Sequence, residues 1–401
     1  MRQLLKILML IVAGAGAFFK RTWRAPDSAV NEESEDELQF NSKQKFWHTV
    51  KVLLIAGVVL GAIGLLVLVS GVVPIKASSG HWPVTRWILT FAKQRSVATY
   101  SWSIEAPPLS DPMLVLKGAG AYESNCRVCH GSPELPRPAV AQHMLPPPPY
   151  LPEAVSKWET EELFLIVKHG LKFTGMPAWP SQQRDDEVWA VVAFLKEFPK
   201  LDQNSYRSLV GVEHPSEAED SFARLVRHCE SCHGPEGTGH RLGPAPRLSG
   251  QKVDYLYSSL SAYARRERFS GIMQPIASRL NDEEKHRLAQ HYASRSAPVQ
   301  TIAAAATFAR GESIAKRGIP EQRVPACNSC HGRAGPKNPV YPELSGQFAH
   351  YIVMQLKLFQ QNGRGGTPYA HLMRHVAPQL SEEQIEDVAL YYQSLTSGPR
   401  D

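Results

Sequence analysis

Residues 50–75 read VKVLLIAGVVLGAIGLLVLVSGVVPI, with a single charge, Lys51, at the edge. The 24 uncharged residues from Val52 onward are enough to cross a bilayer core of about 30 Å, so this stretch predicts a transmembrane helix. A shorter apolar stretch, residues 4–19, contains Lys6 and has the length of a signal-peptide core or a second span. Between them lies a polar linker, acidic over residues 27–37. Residues 76–109 follow the span as a juxtamembrane linker. Their part from 81 to 103 is aromatic and basic, with Trp82, Trp87, Phe91, Lys93 and Trp102. It reads either as a helix lying in the membrane interface or as one packed on the adjoining domain. Beyond residue 110 the apolar positions take a helical period: Val188, Val191, Val192 and Leu195 in one run, Ile385, Val388, Ala389 and Tyr392 in another. Asn281 with Glu284, and Ser381 with Gln384, are spaced as capping boxes at helix starts. The pattern predicts an all-α chain.

All six cysteines lie in three copies of one motif: Cys126-Arg-Val-Cys129-His130, Cys229-Glu-Ser-Cys232-His233 and Cys327-Asn-Ser-Cys330-His331. Cys-x-x-Cys-His is the attachment signature of c-type haem, with two thioether bonds to the porphyrin and histidine as proximal iron ligand. A zinc site would need two more ligands per pair, and no cysteine is left to supply them. A thioredoxin-like dithiol would want a strand–helix setting that the surrounding sequence lacks. Three copies therefore imply three covalently attached haems c. The motif histidines stand roughly 100 residues apart, the size of a small domain. This places haem domains at residues 110–202, 215–297 and 303–398.

The sixth ligands are sought by register. Met176, Met273 and Met373 each precede a helix start (Arg184, Asn281, Ser381) by the same offset of eight residues. Arg184 is a poor N-cap, so Ser181 or Asp185 is expected to cap that helix instead. The metal ligands read from the sequence are thus His130 with Met176, His233 with Met273, and His331 with Met373. Met144 is a rival in the first domain. Met113 precedes the first motif, and Met354 falls within an expected helix. His169, His286, His291, His371 and His375 are the histidine rivals; bis-histidine ligation would lower the potential and His/Met ligation raise it. A further repeat, Pro246-Arg-Leu-Ser-Gly-Gln251 against Pro342-Glu-Leu-Ser-Gly-Gln347, is followed by Tyr255 and Tyr351 at equal offsets. The first domain lacks it, so the chain reads as one distinct domain plus a related pair. Arg265, Arg266 and Arg268 precede Met273, and read either as a haem-propionate partner or as a solvated basic face.

Net charge is +6 over 401 residues, with the charges interspersed, which gives no basis for nucleic-acid binding. Covalent haem is attached outside the bacterial inner membrane, so the residues after the span are expected on the periplasmic side. Either residues 4–19 do not span and there is one anchor, or both stretches span and Lys20, Arg21, Arg24, Lys43, Lys45 and Lys51 face the cytoplasm.

The three haem modules resemble class I cytochromes c, by the motif near the start, the later methionine and the capped C-terminal helix. The last two resemble tandem dihaem cytochromes c, through Pro-x-Leu-Ser-Gly-Gln and its tyrosine. The first resembles single-haem modules with a Gly-Met-Pro-Ala-Trp loop, here residues 175–179. The resemblance implies three all-α class I domains in tandem, each with a haem edge partly exposed for electron transfer. The function expected is a membrane-anchored trihaem cytochrome c in a bacterial respiratory chain, without catalysis of its own. Its partners would be a membrane oxidase or dehydrogenase, whose cytochrome subunit it could be, a soluble cytochrome, and the lipid bilayer. The alternative is a haem enzyme, a peroxidase or small-molecule reductase, with one open iron in the first domain. A haem-based sensor is disfavoured because no output domain accompanies the haems.

Overall fold

The computed structural model describes residues 35–211, 220–240, 245–296, 306–332 and 338–395. The apolar stretch at residues 4–19, with Lys20, Arg21 and Arg24, lies outside them. The chain divides into two compact units, Met1–Lys76 and Ala77–Asp401.

In the first unit one helix, α1 (Glu35–Val69), carries the apolar segment. Of the described helices it alone is long and apolar enough to cross a membrane, over Gln44–Val69. The helix expected over residues 50–75 therefore begins earlier and stops short of Ile75. Gly71 takes a left-handed φ of 64°, and Pro74 beyond it has no N–H to continue the ladder.

The second unit is helical, and its described residues include no strand beyond a single bridge between Ile319 and Val324. Its helices of eight residues or more are α2 (Pro83–Ser101), α3 (Pro112–Asn125), α4 (Thr160–His169), α5 (Asp185–Glu197), α6 (Gln203–Val210), α7 (Ser221–His233), α8 (Val253–Ala264), α9 (Asp282–Ala293), α10 (Ala306–Arg317), α11 (Ala349–Gln360) and α12 (Glu382–Ser394). Helix α2 packs on α4 and buries Val97, with Lys93 over the Trp158 ring. Trp82, Trp87, Phe91 and Trp102 stay exposed. Of the two readings of this segment, the structure shows packing on the first domain.

Three cores follow the chain. One gathers Tyr122, Phe164, Val188, Val191 and Phe194. A small second one is built on Val226, Leu256, Leu288 and Tyr292, and the third on Ile352, Leu356, Ile385 and Val388. In the first and third, the opening helix crosses the closing helix through a glycine. A Cβ on Gly118 would lie 1.9 Å from Ala190 O, and one on Gly311 2.1 Å from Asp387 O. Ala190 and Asp387 occupy the same register after Arg184 and Ser381, so the two crossings are equivalent. At that register the second domain has Arg287, whose guanidinium lies 4.2 Å from the Phe222 ring centre. With no glycine in α7, α7 and α9 meet through side chains instead, Phe222 against Arg287 and His291, and the Tyr292 hydroxyl on Val226 O (3.3 Å).

Both expected capping boxes form. Glu284 N donates to Asn281 Oδ1 (2.9 Å) and Asn281 N to Glu284 Oε2 (2.8 Å). Gln384 N donates to Ser381 Oγ (3.2 Å) and Ser381 N to Gln384 Oε1 (2.9 Å). At α5 neither Ser181 nor Asp185 caps: Arg184 holds the N-cap position without a side-chain cap, and Ser181 Oγ is buried without a partner among the described residues. The Arg184 guanidinium instead pairs with Asp186 (2.8 Å) and Glu187 (2.9 Å), and donates to Phe269 O (2.8 Å) of the second domain.

The repeated Pro-x-Leu-Ser-Gly-Gln segments join the second and third domains. Gln251 Nε2 donates to Glu343 O (2.6 Å), and Gln251 Oε1 accepts from Glu343 N (3.1 Å). Gln347 Nε2 donates to Arg247 O (3.1 Å), and Gln347 Oε1 accepts from Arg247 N (2.9 Å). Arg247 and Glu343 are the same position of the repeat, so the clasp is reciprocal, as in a two-fold interface. Beside it Arg268 Nη2 donates to Tyr351 OH (3.0 Å) and Arg364 Nη2 to Tyr255 OH (3.2 Å).

Candidate haem sites

The motifs are helical, in the short turns Arg127–His130 and Asn328–His331 and at the end of α7 in the second domain, which puts both cysteines and the histidine of each on one face. In all three copies the histidine ring is fixed through Nδ1 by a proline carbonyl: His130 by Pro149 (3.3 Å), His233 by Pro246 (2.8 Å) and His331 by Pro342 (3.0 Å). Occupying Nδ1 orients the ring and leaves Nε2 for a metal, the usual outer support of a metal-bound histidine. Burial lowers the pKa of His130 and His233 against the opposing pull of those carbonyls, which keeps the rings neutral. Burial also pushes the thiols of Cys126 and Cys229 up to about 12 and that of Cys327 to about 11. These are apolar surroundings, suited to a neutral thioether rather than a thiolate.

A cavity of about 600 Å3 runs through the second and third domains. Its walls bring together Cys229, Cys232, His233 and Met273, and also Cys327, Cys330, His331 and Met373. Met273 opens the short helix Met273–Ala277, and Met373 lies in the short helix Ala370–Val376. In the first domain Met176 sits in a turn after α4, where its N–H donates to Thr174 Oγ1 (3.1 Å) and its carbonyl accepts from Leu171 N (3.2 Å). Met144 places its methyl against Gly175, where an added Cβ would be 1.7 Å away, so the rival thioether is a neighbour of Met176. Met354 also lines the cavity.

The residues fit haem. The walls are largely apolar, with Leu256, Ile276, Leu280 and Leu288 in the second domain and Ile352, Leu356 and Val388 in the third. Four buried arginines also line the cavity: Arg184 of the first domain, already paired with Asp186 and Glu187, and Arg247, Arg268 and Arg364. Among the described residues Nε of Arg247 and of Arg364 has no partner, and burial alone lowers the Arg247 pKa, with no carboxylate opposing it. Buried cations in an apolar cavity require anions, and haem propionates are such groups. Of the three arginines marked before Met273, Arg268 enters the cavity while Arg265 and Arg266 stay exposed. The proline carbonyls, Arg247 and Arg364 were not singled out in the sequence. No common spacing marks the prolines, which stand 19, 13 and 11 residues after the motif histidine in the three domains.

Residues 114–195 and 216–291 match the family described as cytochrome c oxidase, cbb3-type, subunit III, and residues 308–396 match the cytochrome c family. A thiosulfate dehydrogenase electron acceptor from Stutzerimonas stutzeri is 34% identical over 167 residues, covering 41% of this chain and 77% of its own length. A cytochrome c4 from Thiocapsa roseopersicina is 38% identical over 173 residues, covering 42% of this chain and 87% of its own. Among solved structures, reduced recombinant cytochrome c4 from Pseudomonas stutzeri aligns with a TM-score of 0.39 at 30% identity, over 44% of this chain and 100% of that one.

Proposed function

Because the chain belongs to the cytochrome c family, as an electron-transfer protein related to cytochrome c4, we propose that it is a membrane-anchored trihaem carrier serving a respiratory chain on the periplasmic face of a bacterial inner membrane. Bound haem supplies reversible one-electron iron chemistry. In this reading the cysteine pairs hold each group covalently, and His130, His233 and His331 are the proximal ligands. Met176, Met273 and Met373 take the sixth positions, so that no iron is left open to substrate. The observation that carries the reading is the proline carbonyl on Nδ1 of every motif histidine, which presents the same ring nitrogen at three sites.

The protein's own part is burial, orientation and charge balance. Leu256, Leu280 and Leu288 keep water from the second site, which disfavours the more highly charged oxidised state, and a thioether ligand works in the same direction. Arg247, Arg268 and Arg364 bring positive charge to the cavity. The apolar part of α1 spans 26 residues, about 39 Å at 1.5 Å per residue, which exceeds the bilayer core. Phe46 and Trp47 sit near its start and are suited to the membrane interface. The anchor would hold the haem domains near a membrane partner and raise their effective concentration. The relative named for thiosulfate dehydrogenase supports an oxidoreductase as that partner, through a dehydrogenase or an oxidase of which this chain is the cytochrome subunit.

The test is haem stoichiometry with a potentiometric titration and carbon monoxide added to the reduced protein. The expected result is three haems per chain, three one-electron components and no carbon monoxide complex. Stoichiometric carbon monoxide binding at one site would replace the carrier reading with that of a haem enzyme.

A further inference from the structure

The first two domains meet at the second haem site, at both of its ends. At the cysteine end, α3 lays Gly120 on Cys232: a Cβ there would lie 2.7 Å from Sγ. Leu116, Lys117 and Ala121 of the same helix line the cavity alongside His233. At the methionine end, Trp179 covers Gly271, where a Cβ would come within 2.0 Å of the indole Nε1. Ile272 packs against the first domain's core. Glu187, 2% exposed, accepts from Ser270 Oγ (2.6 Å) and from Gly271 N (2.6 Å). Ser270 Oγ in turn accepts from Met273 N (3.0 Å).

The register of the repeat shows that Glu187 has been diverted to this use. It stands at the third position of α5, where Glu284 and Gln384 in the other domains turn back to close their own capping boxes. Glu187 instead reaches across to the second domain, and Arg184, at the N-cap position, supplies the counter-charge at 2.9 Å. A buried carboxylate is tolerated only when it is paired and fully hydrogen-bonded. Here the pairing also fixes the turn that carries Met273.

We infer that the second haem site is built by two domains: the first domain is its permanent wall at the cysteine end, and Glu187 is a positioning residue for Met273. The site is then closed on that side to a docking redox protein. Among the described residues the third site's methionine turn is held within its own domain instead, where Ala370 N bonds back to Thr367 O (3.1 Å) and Arg374 Nε donates to Arg364 O (3.2 Å). The inference rests on the haem reading above.

The test uses the full-length, haem-loaded protein and two variants. Glu187→Gln keeps the shape of the side chain but removes the charge and offers a donor where only acceptors fit. In this variant one of the three redox components is expected to shift to lower potential. The weak long-wavelength absorption of thioether-bound ferric haem should fall by the share of one site in three, with three haems still attached. Gly120→Leu wedges α3 from the second motif. Amide hydrogen exchange should then accelerate in Ser221–His233 and remain unchanged in Ala306–Arg317. Unaltered potentials and absorption in Glu187→Gln would overturn the positioning role. Equal acceleration in all three domains of Gly120→Leu, or none, would overturn the shared wall. Fewer than three haems in the unaltered protein would instead sink the functional reading itself.

Discussion

Gly311 shows how far one missing methylene group decides a haem domain. Its Cα faces the Asp387 carbonyl across the crossing of α10 and α12, and a Cβ would sit 2.1 Å from that oxygen. Glycine inside a helix costs about 1 kcal/mol relative to alanine, but forcing the two backbones apart costs on the order of 3 kcal/mol. Gly311→Val is therefore expected to destabilise the third domain by about 2–3 kcal/mol net, seen as a lower denaturation midpoint for that domain's haem absorption. Glycine in a helical run reads from sequence only as a weak point, because what it packs against lies 76 residues away. The motif cysteines and histidines were fully legible, since their chemistry is local. The proline carbonyls on the histidines were not, because any backbone carbonyl in reach could serve and only the fold says which one is.

At the scale of elements, the Pro-x-Leu-Ser-Gly-Gln repeat was visible in the sequence but its role was not. Repetition signals equivalent positions, and only the paired structure shows that each glutamine grips the other copy's backbone. The two halves of the clasp are not equally costly to lose. Gln347 satisfies the N–H and carbonyl of Arg247, which is buried, whereas Gln251 satisfies those of Glu343, which is half-buried and more open to water. Leaving a buried polar group unpaired costs about 1–3 kcal/mol, so Gln347→Leu should destabilise the tandem pair by about 3 kcal/mol and Gln251→Leu by less. The double variant should cost less than the sum, since loosening one half frees the other. Denaturant unfolding of the haem-loaded protein, followed at all three haems, measures both. The helix starts were legible where capping was local, at Asn281 and Ser381. They were misleading at Arg184, whose partners in the second domain no local pattern could reveal.

At the scale of the whole molecule, the joint between the first and second domains rests on a charge cluster, Lys117, Arg184, Asp186 and Glu187, which makes it sensitive to acid. Burial by itself would raise the pKa of Asp186, but the Arg184 guanidinium and the Lys117 ammonium (2.8 Å) overcome this and hold the carboxyl well below the usual carboxylate range. A carboxyl depressed by folding contributes stability that is present above its unfolded pKa, near 4, and is lost as pH falls through that value towards the folded one. Stability of the joint is thus expected to hold from neutral pH down to about 5 and to decline below it. The contribution is modest, because the Asp186 side chain is 36% exposed and solvent screens the pair. Asp186→Asn should lower the thermal midpoint at neutral pH and flatten its decline below pH 5, so that the variant and the unaltered protein converge in acid. Because Arg184 also holds Glu187 and Phe269 O, the proposed ligation by Met273 and Met373 implies that the thioether absorption of the second haem fades in acid before that of the third. Fading of both together would mean that the first domain does not support the second site.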